Sequence, residues 1–512
     1  MERLRDPMPP DRLTGWIVTV VITALAGVLR MVRLGQPAEM MFDEGAYARD
    51  AWSLLVLGYE GVWGDPGTID PSLGGVAYGG FGRAAEWATH PEVGKWLIAS
   101  GEWLFGLNPV GWRFAALVFG TLLVGVTIRL ARRLSRSTLI GALAGGLLAV
   151  DGLSFVMSRI ALLDIFQAFF LVAGVSCVVA DRDFFRHRLA AHIADLPGQT
   201  LAGRAGPYIV RPWLLGAGVA FGLATGTKWN SVFPLAVFGI VVVVWSLAAR
   251  RLAGAGRRTW WSLLTDGVPA FVSLVVVGLA TYIATWIPWL RVTTSVDWPW
   301  GPAYPDTWVA RHLGAPWADL WTWHVATYRF HTGPFMMRMT HVYGSSPWVW
   351  PVMGRTTGIY AVNGIPPGTP GCTAPVDQTC LGVVTALGTP VLWWAVLAAM
   401  LVGLVWWLAG RDWRFGVAIL GYASTWVPWV LNDRGAKFSF YAITMIPFGV
   451  IALALAAGVV LHRLHRRRTK ALVVGVIVGL VAANFALIYP VLTGLTLTQQ
   501  QYAALMWLPG WT

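Results

Sequence analysis

Stretches of about twenty consecutive apolar residues recur along the whole chain, and no other feature constrains its fold as strongly. A bilayer's hydrocarbon core is about 30 Å thick, and an α-helix needs about 20 apolar residues to cross it. Such stretches lie roughly at 15–34, 112–130, 138–157, 161–180, 213–227, 231–249, 267–288, 386–408, 414–430, 440–461 and 471–490. They predict an all-α polytopic membrane protein with about eleven transmembrane helices. Composition agrees: 56% of the 512 residues are hydrophobic and 12% are charged, about half the charged share of a soluble chain. The segment 213–227 is short for a crossing. A further apolar stretch, 94–107, is assigned to the outer surface.

Charge decides that assignment. Basic residues cluster in LARRLSR, in 181–212, in RRLAGAGRR, in RDWR and in HRLHRRRTK. If 94–107 does not cross, these loops and the N-terminus share one side, which then holds most of the Lys and Arg. The positive-inside rule makes that side the cytoplasm and leaves the C-terminus outside. The +13 net charge is thereby mostly a topological signal, and nucleic acid is not an expected partner. Residues 1–12 are polar, and the first span ends without a small-residue cleavage site, so it reads as a retained anchor of the plasma (inner) membrane.

This topology divides the chain into a cytoplasmic N-terminus with the first span (1–34), a first outer loop (35–111), spans 2–7 (112–288), a large outer loop (289–385), and spans 8–11 with an outer C-terminus (386–512). The large loop is rich in Trp, His, Pro and Gly, as in WPWGPAYP, LWTWHVATYRFH and HVYGSSPWVWP. It reads as an aromatic-rich interfacial cap. Cys372 and Cys380 lie eight apart within it and are able to form a disulfide in an oxidising compartment; Cys177 lies in an apolar span.

The chemistry-bearing residues gather near the outer boundary. Asp43 and Glu44 are adjacent carboxylates just past the first span. Asp43 is placed to cap a helix over about 44–57, with Tyr47, Trp52 and Leu55 on an apolar face. Partly desolvated there, such a carboxylate can instead be a general base. His90 and Lys95 lie in THPEVGKWLIASGEWLFG, where Lys95 reads as a snorkelling residue of an amphipathic helix. Arg113 opens the second span, as a headgroup anchor or a phosphate ligand.

Asp151, Arg159 and Asp164 flank the next outer turn; ionisable groups so near the membrane face an interior or a wet cavity, and the bland reading is an Arg159–Asp164 pair. GLATGTKWN puts Lys228 at the outer end of its helix, and Arg434 and Lys437 sit in VLNDRGAKFSFY. With Arg113 these cations form a ring at one membrane level, fit for a polyprenyl phosphate or for ordinary anionic lipid. His324, His331 and His341 share the large outer loop, but spacings of seven and ten do not make a metal site. No Walker loop, HExxH or CxxC pair is present.

At these residues the chain resembles the protein O-mannosyltransferase family in its bacterial form. The resemblance rests on the FDE of the first outer loop, HPEVGKWLI, WRFAALVFG, SRIALLDIFQAFF, GLATGTKWN, HVYGSSPWVWP and the closing YPVLTG…MWLPGW. It covers residue 40 to the C-terminus. It implies a GT-C fold with juxtamembrane helices in the first outer loop. It also implies inverting transfer of mannose from polyprenyl-phosphate mannose to Ser or Thr hydroxyls of exported proteins, on the outer membrane face.

By motif match Asp43 is the catalytic carboxylate, Glu44 its neighbour, and Arg113 the Arg that starts the second span; Lys228 and Arg434 are carried as donor-phosphate ligands on position. Segment 289–385 is too short for the β-trefoil domain of the eukaryotic members, so acceptors would be selected by the Trp-rich cap or a translocon partner. The scheme requires no metal or other cofactor, because fixed cations stabilise the phosphate that leaves. The alternatives are a transferase of the same fold using another polyprenyl-phosphate sugar or a lipid or glycan acceptor, and a transporter or flippase, against which stands the absence of an inverted repeat.

Overall fold

The computed structural model describes residues 4, 7–64, 80–194, 209–292 and 307–511. The WPWGPAYP stretch of the expected cap lies outside them. Among the described residues, eight helices are long and apolar enough to cross a membrane: Arg12–Met31, Pro109–Ser135, Leu163–Ala194, Trp229–Leu252, Thr259–Ala284, Pro390–Leu408, Ile446–Arg463 and Arg467–Thr493. Three more helices, Thr138–Ala149, Pro212–Thr225 and Trp413–Val430, occupy the other expected span positions and fall outside that set. Leu163–Ala194 is the central helix, buried along most of its length, whereas Arg12–Met31, Thr259–Ala284 and Arg467–Thr493 keep largely exposed apolar faces.

Local chemistry explains where these helices start and break. Asn108 caps Pro109–Ser135 by accepting from the N–H groups of Val110 and Gly111, both at 3.0 Å, and Pro109 at the first position gives up no hydrogen bond. The stretch 138–157 is not one span. It breaks at Asp151, which caps the short helix Gly152–Met157 by accepting from the Ser154 N–H at 2.8 Å. Pro212–Thr225 packs backbone against backbone: a Cβ on Gly218 would lie 2.0 Å from the Ser273 carbonyl oxygen. Small residues allow such an approach between membrane helices.

The segments between the expected spans correct the all-α expectation. Thr357–Ile365, Cys380–Ala386 and Thr496–Thr498 form an antiparallel three-stranded sheet with Cys380–Ala386 in the middle. Gly61–Trp63 and Phe81–Ala85 form a second, two-stranded one. Cys372 and Cys380 are disulfide-bonded, tying the loop after the first strand to the middle strand. The C-terminal segment folds back on this region, where the Thr356 N–H donates to the Gly510 carbonyl at 3.2 Å. In the first loop, Glu44–Leu57 and Val93–Phe105 are the two helices expected there. Val93–Phe105 is pressed onto the start of Pro109–Ser135: a Cβ on Gly101 would meet the Gly111 carbonyl at 2.3 Å.

Candidate active site

The two carboxylates of the FDE motif have opposite surroundings. Glu44 is fully buried and its carboxylate accepts four hydrogen bonds. They come from Arg113 Nε and an Arg113 terminal nitrogen, both at 2.8 Å, and from the Met41 and Ala161 N–H groups, both at 2.9 Å. Arg113, also fully buried, gives its remaining donors to the carbonyls of Leu34, Pro37 and Glu39. All five of its N–H donors are thus engaged, and none is left for a lipid phosphate. The pair fastens the first loop to the second span, which corrects the expectation of Arg113 as a phosphate ligand.

Asp43 is the N-cap residue of the same helix, but its side chain makes no capping hydrogen bond. Phe42 takes a left-handed backbone conformation, φ 51°, which costs a residue with a Cβ roughly 1–2 kcal/mol. Its ring is seated among His341, Phe438 and Phe440, at centroid distances of 5.9, 5.4 and 5.6 Å. The Asp43 carboxyl is left to line a cavity of about 490 Å³. Burial raises its pKa to about 6; Lys228 and Arg434 oppose the shift and Asp164 adds to it.

The cavity gathers residues from five parts of the chain: Asp43 and Tyr47, His90, Lys228, His331 and His341, and Arg434 with Tyr441. Lys228 donates to both oxygens of Asp164, at 2.8 and 2.7 Å, and lies 4.8 Å from the Tyr441 ring centroid. His90 stacks on His331 at 5.4 Å, and His331 Nε2 lies 3.0 Å from the Thr89 carbonyl. Burial, and then the nearby cations, holds the His90 pKa well below its ordinary value. Burial also lowers that of His331. Both rings are therefore neutral hydrogen-bonding groups at pH 7.

Several expected residues stand elsewhere. Lys95 does not snorkel: it is buried and bridges Asp50 and Glu60, each at 3.0 Å. Burial disfavours its charge, but those two carboxylates outweigh it and raise its pKa. The Asp151 carboxylate is spent on the Ser154 and Thr389 N–H groups and the Trp393 indole. Arg159 does not pair with Asp164; it donates to the carbonyls of Arg30, Val32 and Arg33 at the end of the first span. His324 bonds to the Tyr282 hydroxyl at 2.7 Å and the Leu320 carbonyl. Lys437 points to the carbonyls of Trp429 and Asn432. The sequence reading missed Tyr441 altogether and gave Tyr47 to the bilayer; Tyr47 lies one helical turn past Asp43, the spacing that places it beside the same cavity. Among the described residues, no three His, Cys, Asp or Glu side chains group as metal ligands.

A second cavity, of about 280 Å³, shares Lys228, His90, His331, Arg434 and Tyr441 with the first and reaches Trp229, Val232 and Phe233. Val232 also opens an apolar groove of about 510 Å³ between Trp229–Leu252 and Thr259–Ala284, lined by Ile240, Val244, Phe271 and Leu274 among others. Buried acid, fixed cations, neutral imidazoles and an apolar channel thus follow one another.

Fold and site together define a multi-span membrane protein with a cavity lined by a carboxylate, two cations and imidazoles. The chain belongs to the dolichyl-phosphate-mannose-protein mannosyltransferase family, whose pattern it matches over residues 20–287. Residues 316–511 match the C-terminal four-span region of protein O-mannosyltransferases. It is 39% identical to a polyprenol-phosphate-mannose–protein mannosyltransferase of Mycobacterium tuberculosis, covering 98% of this chain and 93% of that one. It is 30% identical to the protein of that name in Corynebacterium glutamicum, covering 99% and 96%. The structure of the S. cerevisiae protein O-mannosyltransferase complex bound to the sugar donor has the same fold, with a TM-score of 0.70 at 14% identity, covering 100% of this chain and 94% of that one.

Proposed function

We propose that this chain transfers mannose from polyprenyl-phosphate mannose to Ser or Thr hydroxyls of exported proteins, with inversion at the anomeric carbon. The observation that carries the reading is Asp43: a partly buried carboxyl that caps nothing and shares a cavity with the paired cation Lys228 and with Arg434. The membership and the relatives' names support the sugar, the lipid carrier and the protein acceptor.

In this scheme the acceptor hydroxyl attacks the anomeric carbon from the side opposite the phosphate, and Asp43 accepts its proton as positive charge develops at the sugar, the inverting arrangement of glycoside chemistry. A positioned base of this kind contributes roughly a hundred- to ten-thousand-fold. The phosphate leaves without a proton, and Lys228 and Arg434 stabilise its charge. Asp164 holds Lys228 in place. His90, His331 and Tyr47 are placed to hydrogen-bond the sugar, and no step calls for a metal. The prenyl chain runs past Trp229 and Val232 into the apolar groove. Glu44 and Arg113 hold the Asp43 turn and take no part in the chemistry.

The topology belongs to the same proposal. The eleven expected span positions cross the inner membrane, the third as Thr138–Ala149 continued past its break by Gly152–Met157, Val93–Phe105 lies on its outer surface, the N-terminus is cytoplasmic, and the cavity, the aromatic cap and the C-terminus are outside, where the acceptor emerges from a translocon. The division of the chain at 34, 111, 288 and 385 follows from it. The Cys372–Cys380 disulfide supports an oxidising, outer location for the cap.

The test is sugar transfer in membranes. Wild type and Asp43→Asn are given polyprenyl-phosphate mannose and a Ser/Thr-rich peptide, and the peptide is read by mass spectrometry. A hexose gained with wild type and lost with the variant is the expected result. No hexose from folded wild type with intact donor overturns the reading, and parallel arms with arabinose, aminoarabinose and glucose carriers would then identify another sugar.

A further inference from the structure

A further cavity lies at the other end of the bundle, far from the chemistry. It has a volume of about 530 Å³ and opens beside Ser135, the last residue of Pro109–Ser135, the helix that carries Arg113 near its other end. The 22 residues between them span about 33 Å at 1.5 Å per residue. One wall is apolar, from Leu139, Leu455 and Val459; the rim is cationic, from Arg463 and Lys470. The lining contains no carboxylate among the described residues. A third cation of the lining, Arg414, is paired with Asp412, whereas neither Arg463 nor Lys470 has an ion-pair partner among the described residues. The helix Thr138–Ala149 also begins here, capped by Ser137, so the positive end of its dipole faces the same space.

Positive charge alone at this end has a topological account. A cavity that joins two unpaired cations and a helix N-terminus to an apolar wall has more structure than that account needs. An anion with an attached hydrocarbon chain satisfies both halves at once, whereas a free phosphate leaves the wall wet. Basic pockets between membrane helices bind acidic lipid headgroups for this reason. We propose that this cavity binds an anionic glycerophospholipid of the surrounding leaflet, its phosphate between Arg463 and Lys470 and an acyl chain along Leu455 and Val459. The site is independent of the transfer reaction and holds whichever sugar the enzyme uses.

The experiment uses the purified full chain in detergent, delipidated and titrated with phosphatidylglycerol, phosphatidylcholine or inorganic phosphate, with bound lipid counted by native mass spectrometry. The double variant Arg463→Gln, Lys470→Gln is compared with wild type. Arg463 is exposed and Lys470 half-buried, and neither belongs to the catalytic cavity, so the variant is expected to fold and to keep wild-type transfer activity. At about 1 kcal/mol per basic residue near an acidic lipid, the variant should bind phosphatidylglycerol roughly 30-fold more weakly, with phosphatidylcholine binding little changed. Equal phosphatidylglycerol affinity in the two proteins overturns the proposal. So does displacement of the lipid from wild type by millimolar inorganic phosphate, which would assign the cavity to a soluble anion.

Discussion

Replacing Glu44 by Gln separates the two neighbours of the FDE motif. The change is nearly isosteric, so no cavity forms. It removes a charge that faces four donors, two of them from Arg113, and it aims an amide NH2 at donors that need an acceptor. Arg113 is left as a buried guanidinium without its counter-charge, since its other partners are neutral carbonyls. Removing one partner of a buried pair costs about 3–5 kcal/mol, a large part of the 5–15 kcal/mol by which a typical fold is stable. The expected outcome is a clear fall in thermal stability in detergent, with poor yield, and a transfer rate per folded molecule reduced only as far as the Asp43 turn loosens. Nanodisc-reconstituted protein measured well below its melting temperature gives that rate. A variant as stable as wild type but inactive would refute the reasoning, because it would place Glu44 in the chemistry and not in the scaffold.

Asp43 should behave in the opposite way. Its pKa is raised to about 6 from 3.8, so the folded state holds its proton to higher pH than the unfolded chain does; folding is unpenalised below about pH 4, and the penalty grows until about pH 6 and stays full above it. Asp43→Asn should therefore be more stable than wild type at pH 7.5, by up to about 3 kcal/mol, and equal to it near pH 4; a destabilised variant at pH 7.5 would contradict this. For wild type, transfer should fall on the acid side as pH drops through about 6, checked by a rate profile from pH 5 to 8. Lys228→Met combined with Asp164→Asn keeps the site neutral and should lower kcat/KM about 100- to 1,000-fold with the fold intact, read by steady-state assay and near-ultraviolet circular dichroism. Cys372→Ser with Cys380→Ser should cost about 2–3 kcal/mol by loop-closure arithmetic, seen as lower amide protection of the three-stranded sheet in hydrogen exchange.

The sequence by itself determined the class of fold, because crossing a bilayer demands runs of apolar residues and such runs are visible without any contact. It also placed most of the candidate chemistry: Asp43, His90, Lys228, His331, His341 and Arg434 share one cavity, and all had been singled out from the chain. Only the tertiary structure decided what each charge does. Adjacent Asp43 and Glu44 look alike in sequence, yet one meets Arg113 and the other meets open space, since partners 69 residues away settle the matter. Asp164 took Lys228 rather than Arg159 for the same reason. Lys95, read as a surface residue, is buried between Asp50 and Glu60, and Tyr441 gave no signal until a second segment closed over it. The middle strand of the sheet, Cys380–Ala386, is buried along its whole length and so shows no alternation, and the sheet forms because stretches far apart in the chain, 357–386 and 496–498, supply each other's backbone hydrogen bonds. Periodicity and apolar length are properties of a local stretch; pairing of charges and of strand edges depends on which distant stretch arrives beside it.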